Sequence, residues 1–178
     1  MLGRMTSAAL DRTLILVRHA KAAATNSEGD HERELTPAGR ADAEAAGAWL
    51  HGHDIGIDEV LCSSAERARQ TAEGIWAGGC CEADVRYDQR IYNAGAEALL
   101  QVVREAEDDA SVVMVVGHAP GIPALTSLLA DGEGSSQAHD ALAVGFPTTG
   151  IAVLSFAGHW QDLALGAARL ERFHVARP

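Results

Sequence analysis

Three short apolar runs, each followed by polar residues, constrain the fold of this chain more than any other feature. The runs are Leu14-Ile15-Leu16-Val17, Glu59-Val60-Leu61-Cys62 and Val112-Val113-Met114-Val115-Val116. Aliphatic and β-branched runs of this length, ended by polar residues, are typical of strands buried on both faces of a parallel sheet rather than of helices. We therefore expect an α/β sheet whose strands are connected by helices.

The residues that follow these runs suggest the chemistry. Arg18 and His19 follow the first run, Arg67 lies at the start of a helix after the second, and His118 comes soon after the third. The carboxyl ends of parallel strands meet at one sheet edge, so these side chains should lie close together. Arginine is a permanent planar donor to phosphate oxygens, and neutral histidine is a nucleophile near pH 7. A single such pair is most often structural, but two arginines and two histidines at one edge predict a site for a phosphoryl group.

The intervening segments predict the other elements. Residues 22–34, small and polar, predict a mobile loop over the site, and Thr36 predicts the N-cap of a helix with Pro37 in its first turn. Further helices are expected at about residues 64–76, 96–107 and 122–129, with a short strand around Val85. Residues 131–145, rich in Gly, Ser and Asp, predict a long surface loop. Residues 151–156 and 168–175 predict a closing pair of strands joined by a turn.

Together these elements predict an α/β fold, a three-layer α/β/α sandwich with a mostly parallel sheet and one antiparallel strand. A chain of 178 residues suits one domain. We place that domain at residues 13–176, after a flexible N-terminal tail at residues 1–12.

Composition and charge narrow the range of partners. The net charge of −11 disfavours nucleic acid and anionic membrane surfaces, and no apolar run approaches the ~20 residues that span a membrane. The three cysteines (Cys62, Cys80 and Cys81) show no metal-ligand spacing, and His51-Gly52-His53 fits a solvated helix end better than a metal site. We therefore expect a cytoplasmic protein that uses no metal or cofactor and binds neither nucleic acid nor membrane.

Four motifs occur along the chain in a fixed order. They are Arg18-His19-Ala20, Leu35-Thr36-Pro37-Ala38-Gly39-Arg40, the stretch from Ser63 to Ala72, and Val116-Gly117-His118-Ala119-Pro120-Gly121. In these motifs the chain resembles the histidine phosphatase superfamily, and within it the short SixA-type phosphohistidine phosphatases. The resemblance extends over residues 13–176 and implies the phosphoglycerate mutase-like fold, which agrees with the sandwich expected from the strands.

The resemblance also implies roles for individual residues. His19 would be the nucleophile, attacking phosphorus through one ring nitrogen while the other donates to a backbone carbonyl. The two arginines would hold phosphoryl oxygens as bidentate donors, and the second histidine would donate a further hydrogen bond. Arg69 lies close to Arg67 in the sequence, but the family pattern Arg-Ala-x-Gln-Thr-Ala selects Arg67. The residues expected to bind the phosphoryl group are Arg18, Arg67, His118 and Ala119.

One residue of the wider family is absent. Relatives that act on sugar phosphates carry a glutamate after the middle strand, where it protonates the leaving alkoxide, but residues 88–94 contain none. Imidazole, whose conjugate acid has a pKa of about 6.5, leaves far more easily than an alkoxide. The sequence therefore favours phosphohistidine over alkyl phosphates, while Glu28, Asp88 and Glu133 stay open as alternative acids.

The activity expected from the sequence is metal-independent hydrolysis of phosphohistidine on a protein, through a covalent phosphohistidine enzyme intermediate. The chain has no long cap insertion, and a shallow pocket would admit a phosphorylated side chain of a folded partner. Two alternatives stay open: a phosphatase of a small phosphorylated metabolite, and a catalytically inactive phosphate-binding protein. The intact set of two arginines and two histidines argues against an inactive protein.

Overall fold

The computed structural model describes residues 10–80 and 83–178. The predicted tail lies mostly outside these ranges, as does Cys81, but β1 already begins at Asp11, and Arg12 within it is buried. Residues 11 and 12 therefore belong to the folded domain. The strands and α-helices are β1 Asp11–Arg18, α1 Pro37–Gly52, β2 Glu59–Ser63, α2 Glu66–Ala77, β3 Asp84–Asp88, α3 Ala96–Arg104, β4 Val112–Gly117, α4 Gly121–Leu129, β5 Ala130–Gly134, α5 Ser136–Val144, β6 Gly150–Ala157 and β7 Ala168–Val175.

The strands form one sheet in the order β3-β2-β4-β1-β6-β7-β5. β3, β2, β4 and β1 pair in parallel, and so do β7 and β5, whereas β6 runs antiparallel to both of its neighbours. The prediction of a mostly parallel sheet with one antiparallel strand is therefore confirmed.

The two faces of β1 show why the fold has three layers. Side chains alternate between the faces of a strand, and all four residues of the first apolar run are fully buried. Leu14 and Leu16 join a core with residues of α3 and α4. Ile15 and Val17 join a second core with residues of α1 and α2 on the opposite face. The sheet thus lies between two helical layers, as the three-layer prediction requires.

α1 and α2 approach each other closely because small residues line their contact. A Cβ atom on Gly47 would overlap the carbonyl oxygen of Ile75, and one on Gly74 would collide with the Cβ atom of Ala43. Thr36 caps α1 as predicted, its hydroxyl accepting a hydrogen bond of 3.0 Å from the amide three residues later. This packing fixes α2, and with it Arg67, relative to the sheet.

The prediction of a long surface loop at residues 131–145 is wrong, because β5 and α5 fill most of this segment. β5 is an exposed edge strand that pairs with β7 at only two registered positions, so it carries no apolar alternation. Ser135 caps α5, accepting a hydrogen bond of 3.2 Å from the Ala138 amide.

Smaller differences concern the ends of elements. α3 stops three residues before the predicted Glu107, because the amides of Glu105 and Ala106 turn back to carbonyls three residues earlier. The β6–β7 connection is longer than a simple turn and contains a 3₁₀ turn with the buried Trp160.

His51 and His53 are exposed at the end of α1, as predicted. Along the described part of the chain, no helix has both the length and the apolarity needed to cross a membrane.

Candidate active site

β2, β4 and β1 are neighbours in the sheet, and the residues that follow their carboxyl ends surround one pocket of about 410 Å³. The five residues predicted to be catalytic or phosphate-binding all line it. Lys21, Asp30 and Arg33 from the loop after β1 also line it, together with side chains from two other loops. The pocket-lining residues are Arg18, His19, Lys21, Ala22, Asp30, Arg33, Arg67, Asn93, His118, Ala119 and Thr148.

His19 is held as a neutral imidazole. Its Nδ1 lies 2.7 Å from the carbonyl oxygen of Ala20, and a carbonyl only accepts, so Nδ1 carries the proton. Nε2 therefore bears the lone pair, to which the Nε–H of Arg67 donates at 3.3 Å. Burial, followed by the positive charges of Arg67 and Arg18, lowers the pKa of His19 to about 4. The ring is therefore neutral at pH 7, lines the pocket and carries its lone pair on Nε2.

The backbone of the nucleophile is braced from two sides. The amide of Thr149 donates to the carbonyl oxygens of Arg18 (3.0 Å) and His19 (3.2 Å), while the Ala20 amide donates to the Thr71 hydroxyl (2.9 Å). Thr149 has a φ of 59°, a left-handed conformation that is unfavourable for a β-branched residue. Such strain is kept only where the surrounding structure requires it, and here it directs the Thr149 amide at the end of β1.

The two predicted arginines reach the pocket from different sides. Arg18 donates through Nη1 to the carbonyl oxygen of Phe146 (2.9 Å), and its buried Nε has no protein partner. Arg67 is buried, with 5% of its side chain exposed. Arg69 points away: its side chain is 45% exposed, pairs with Glu66 and stacks on an exposed tyrosine. Arg67 and Arg69 thus lie on different faces of α2, and Arg67, the residue that the family pattern selects, is the one that lines the pocket.

His118 is the second histidine of the pocket. Its Nε2 lies 2.7 Å from the hydroxyl of Ser63, and its buried Nδ1 has no protein partner. The ring centroids of His118 and His19 are 5.1 Å apart. Burial, and then the proximity of His19 and Arg67, lower the pKa of His118 to about 3. Both histidines are therefore neutral at pH 7. His118 keeps Nδ1 available to a ligand, whereas Nε2 of His19 becomes available when Arg67 turns its Nε–H away to a ligand.

Asp30 is the functional candidate that the sequence did not single out. Its carboxylate accepts hydrogen bonds from Arg67 Nη2 (3.2 Å), the Tyr92 hydroxyl (2.6 Å) and Arg33 Nε (2.8 Å), and its carbonyl oxygen accepts from Arg67 Nη1 (2.8 Å). The Tyr92 and Arg33 hydrogen bonds hold the pKa of Asp30 well below its usual range. The predicted loop over the site therefore lays an ionised carboxylate on Arg67, one of the two arginines that the sequence predicts to bind phosphate. The spacing of Asp30 and Arg33, which pair three residues apart in one loop, was the available signal.

None of the three carboxylates left open by the sequence lines the pocket. Asp88 is bound by Arg90, whose Nη2 lies 2.7 Å from its Oδ2, and this contact lowers the pKa of Asp88. Glu28 is exposed in the loop, and Glu133 lies on β5, three strands from β1, about 14 Å away at the usual strand spacing.

The pocket is cationic although the chain is acidic. Four cations (Arg18, Lys21, Arg33 and Arg67) face one carboxylate, Asp30, and the Lys21 side chain is exposed. Clefts lined by one sign of charge attract ligands of the opposite sign.

Among the residues described, no three or more His, Cys, Asp or Glu side chains are grouped to hold a metal ion.

Comparisons with known proteins agree on a single family. The model of the histidine phosphatase superfamily, branch 1, matches residues 14–95. The uncharacterized protein Rv1276c of Mycobacterium tuberculosis strain H37Rv is 41% identical over 162 residues, which cover 90% of this chain and 100% of that protein.

Two solved structures cover nearly the whole chain. The SixA protein of Nakamurella multipartitia, a candidate phosphohistidine phosphatase, is 41% identical with a TM-score of 0.82, over 93% of this chain and 96% of that one. The SixA protein of Agrobacterium tumefaciens, also a candidate phosphohistidine phosphatase, is 34% identical with a TM-score of 0.73, over 92% and 97%. Both of these structures are SixA proteins, and each is similar to this chain in sequence as well as in fold.

Proposed function

The chain is a phosphatase of the SixA-type group of the histidine phosphatase superfamily, and we propose that it hydrolyses phosphohistidine on a protein through a phosphorylated His19. The observation that carries the proposal is the state of His19. Its Nδ1 proton is bound by the Ala20 carbonyl, and its Nε2 lone pair faces a pocket lined by Arg18, Arg67 and His118. A neutral imidazole beside fixed cationic donors is suited to accept a phosphoryl group.

In the first step, the Nε2 lone pair attacks phosphorus and forms a P–N bond while the P–N bond to the substrate imidazole breaks. Solvent protonates the other nitrogen of the substrate ring, so the electron pair of the broken bond leaves with a neutral imidazole, whose conjugate acid has a pKa of about 6.5. The positive charge that the His19 ring gains is stabilised by the Ala20 carbonyl. In the second step, water attacks phosphorus, the electron pair of the P–Nε2 bond returns to His19, and the water proton in excess passes to solvent with release of phosphate.

The cationic side chains would act on the oxygens of the transferred group. The phosphoryl dianion takes the place of the Asp30 carboxylate on Arg67, and Arg18 Nε, which has no protein partner, supplies another donor. The Ser63 hydroxyl accepts from the Ala65 amide (3.2 Å) and lies 2.7 Å from Nε2 of His118. With this hydroxyl as the donor to Nε2, Nδ1 of His118 would carry a proton toward the phosphoryl group. The arginines supply the positive charge that metal ions provide in other phosphoryl-transfer sites, so the reaction would proceed without a metal.

The choice of phosphohistidine follows from proton supply. The carboxylate that lines the pocket, Asp30, is held ionised by Tyr92 and Arg33 and is a poor proton donor. Departure of an alkoxide requires a proton in the transition state, whereas imidazole leaves readily.

We place the reaction in the cytoplasm, in keeping with the unbridged, buried Cys62.

The test is covalent labelling followed by turnover. Wild-type protein quenched during reaction with a ³²P-phosphohistidine protein should carry an acid-labile, base-stable label, and His19→Ala should carry none. Turnover should persist in EDTA and should be faster for phosphohistidine than for a sugar phosphate. Equal labelling of both proteins would refute the role of His19. A faster sugar phosphate reaction would instead favour a metabolite phosphatase.

A further inference from the structure

The pocket of about 410 Å³ that contains Arg18, His19, Arg67 and His118 is called the phosphate pocket below. A second cavity, of about 770 Å³, adjoins it, and we call this cavity the apolar groove. Its walls are the end of α5 with Val144, the segment Phe146–Pro147, and the end of β7 with Phe173. The composition of residues 131–145 predicts a surface loop, so the wall that α5 forms is visible only in the structure.

The apolar groove and the phosphate pocket share a boundary. Arg18 lines both cavities, and its Nη1 donates to the carbonyl oxygen of Phe146 at 2.9 Å. Phe146 and Pro147 line the apolar groove, while Thr148, the next residue, lines the phosphate pocket. Three residues of chain span at most about 10 Å. A ligand of a few residues can therefore occupy both cavities at once.

The groove presents apolar surface to solvent. The side chain of Val144, at the end of α5, is 91% exposed, and the rings of Phe146 and Phe173 pack edge to face at 5.0 Å. Burying apolar surface of this kind in a complex is favourable. Because Arg18 would bind the phosphoryl group, the remainder of the groove suits an uncharged, apolar group of the same ligand.

We propose that the apolar groove binds an apolar side chain of the phosphorylated partner, two or three residues from its phosphohistidine. This inference rests on the proposed function, because the phosphoryl group in the pocket sets the distance to the groove. An extended peptide advances about 3.3 Å per residue, so a side chain two or three residues away lies roughly 7–10 Å from the phosphorylated ring. The groove thereby selects among phosphohistidine proteins by their flanking sequence.

The test uses two phosphohistidine peptides that differ only at the positions two and three residues from the histidine on both sides, which are leucine in one and asparagine in the other. On the wild-type protein, kcat/KM should be about tenfold higher for the leucine peptide, the size expected for partial burial of an aliphatic side chain. Val144→Asn should lower this ratio at least threefold. The matched control Leu165→Asn, at another exposed apolar side chain (55% exposed) that does not line the groove, should leave the ratio unchanged.

Phosphoimidazole, which has no flanking residues, separates the two proposals. It should be hydrolysed equally by all three proteins, and failure of the wild type to hydrolyse it would refute the proposed function and the groove's role with it. If the wild type hydrolysed phosphoimidazole but had equal kcat/KM values for the two peptides, the proposed role of the groove would be refuted and the proposed function would stand. Light scattering should show a monomer. A dimer that Val144→Asn dissociates would assign the groove to a second copy of the chain instead.

Discussion

The two histidines of the site should make the folded protein less stable as the pH falls from 7 to 5. Their pKa values in the folded state are lowered to about 4 for His19 and about 3 for His118, whereas an unfolded histidine titrates near 6.5. Below pH 6.5 the unfolded chain therefore binds protons that the folded chain does not. The stability lost in this way grows until the pH reaches the folded-state pKa values.

The magnitude follows from the two pKa values. Between pH 7 and pH 5, protonation of one unfolded histidine stabilises the unfolded state by about 2 kcal/mol, provided the folded histidine stays neutral. Neither ring is charged in the folded protein at pH 5, so the two contributions add. The free energy of unfolding should fall by about 4 kcal/mol from these residues alone, a large part of the 5–15 kcal/mol typical of a domain.

Urea unfolding of variants, followed by circular dichroism at pH 7, 6 and 5, isolates these contributions. His19→Asn and His118→Gln should each lose about 2 kcal/mol less than wild type over this range. Thr126→Val, which removes a buried hydroxyl in α4 but no titrating group, should run parallel to wild type. If the histidine variants also ran parallel to wild type, the two histidines would have the same pKa in the folded and the unfolded chain, and burial would not be what keeps His19 neutral.

Three further predictions concern binding and departure of the substrate. Arg67→Lys should lower kcat/KM by about 10²–10³-fold, because an ammonium group cannot reproduce the planar two-point contact; Arg69→Lys should leave it unchanged, and the opposite pattern would place the pocket on the wrong face of α2. Asp30→Asn should strengthen competitive inhibition by inorganic phosphate about two- to fivefold, because the competing carboxylate is removed; weaker inhibition would mean that Asp30 organises the pocket instead. For substituted phenyl phosphates, log kcat/KM should fall steeply as the pKa of the leaving phenol rises, and a flat plot would reveal a general acid.

The strands and the residues at their carboxyl ends could be predicted because both are encoded locally. The first apolar run is buried on both faces, and Arg18 and then His19 follow it directly. Parallel pairing then brings Arg67 and His118 to the same edge without further information. The preference for Arg67 over Arg69 needed the family pattern, since both lie in the first turn of one helix.

Asp30 and α5 were missed because their roles depend on distant partners. Asp30 reaches the pocket through contacts with Arg67 and Tyr92, which are 37 and 62 residues away in sequence. α5 follows a glycine-rich edge strand that exists only by pairing with β7. In both places the local composition indicates a loop, and only tertiary contacts reveal the structure. Asp88 is a different case: its partner Arg90 is only two residues away, but the sequence does not show that the two side chains pair.

The position of β6 has a consequence for protein synthesis. β1 is synthesised before both of its neighbours in the sheet, and one of them, Gly150–Ala157, follows only after α1 to α5. Until then β1 is an edge strand whose unpaired backbone groups are open to other chains, so the nascent protein is prone to aggregation. The Thr149 amide, which holds the carbonyls of Arg18 and His19, arrives equally late. The backbone of His19 therefore gains these hydrogen bonds only after α1 to α5 have been synthesised.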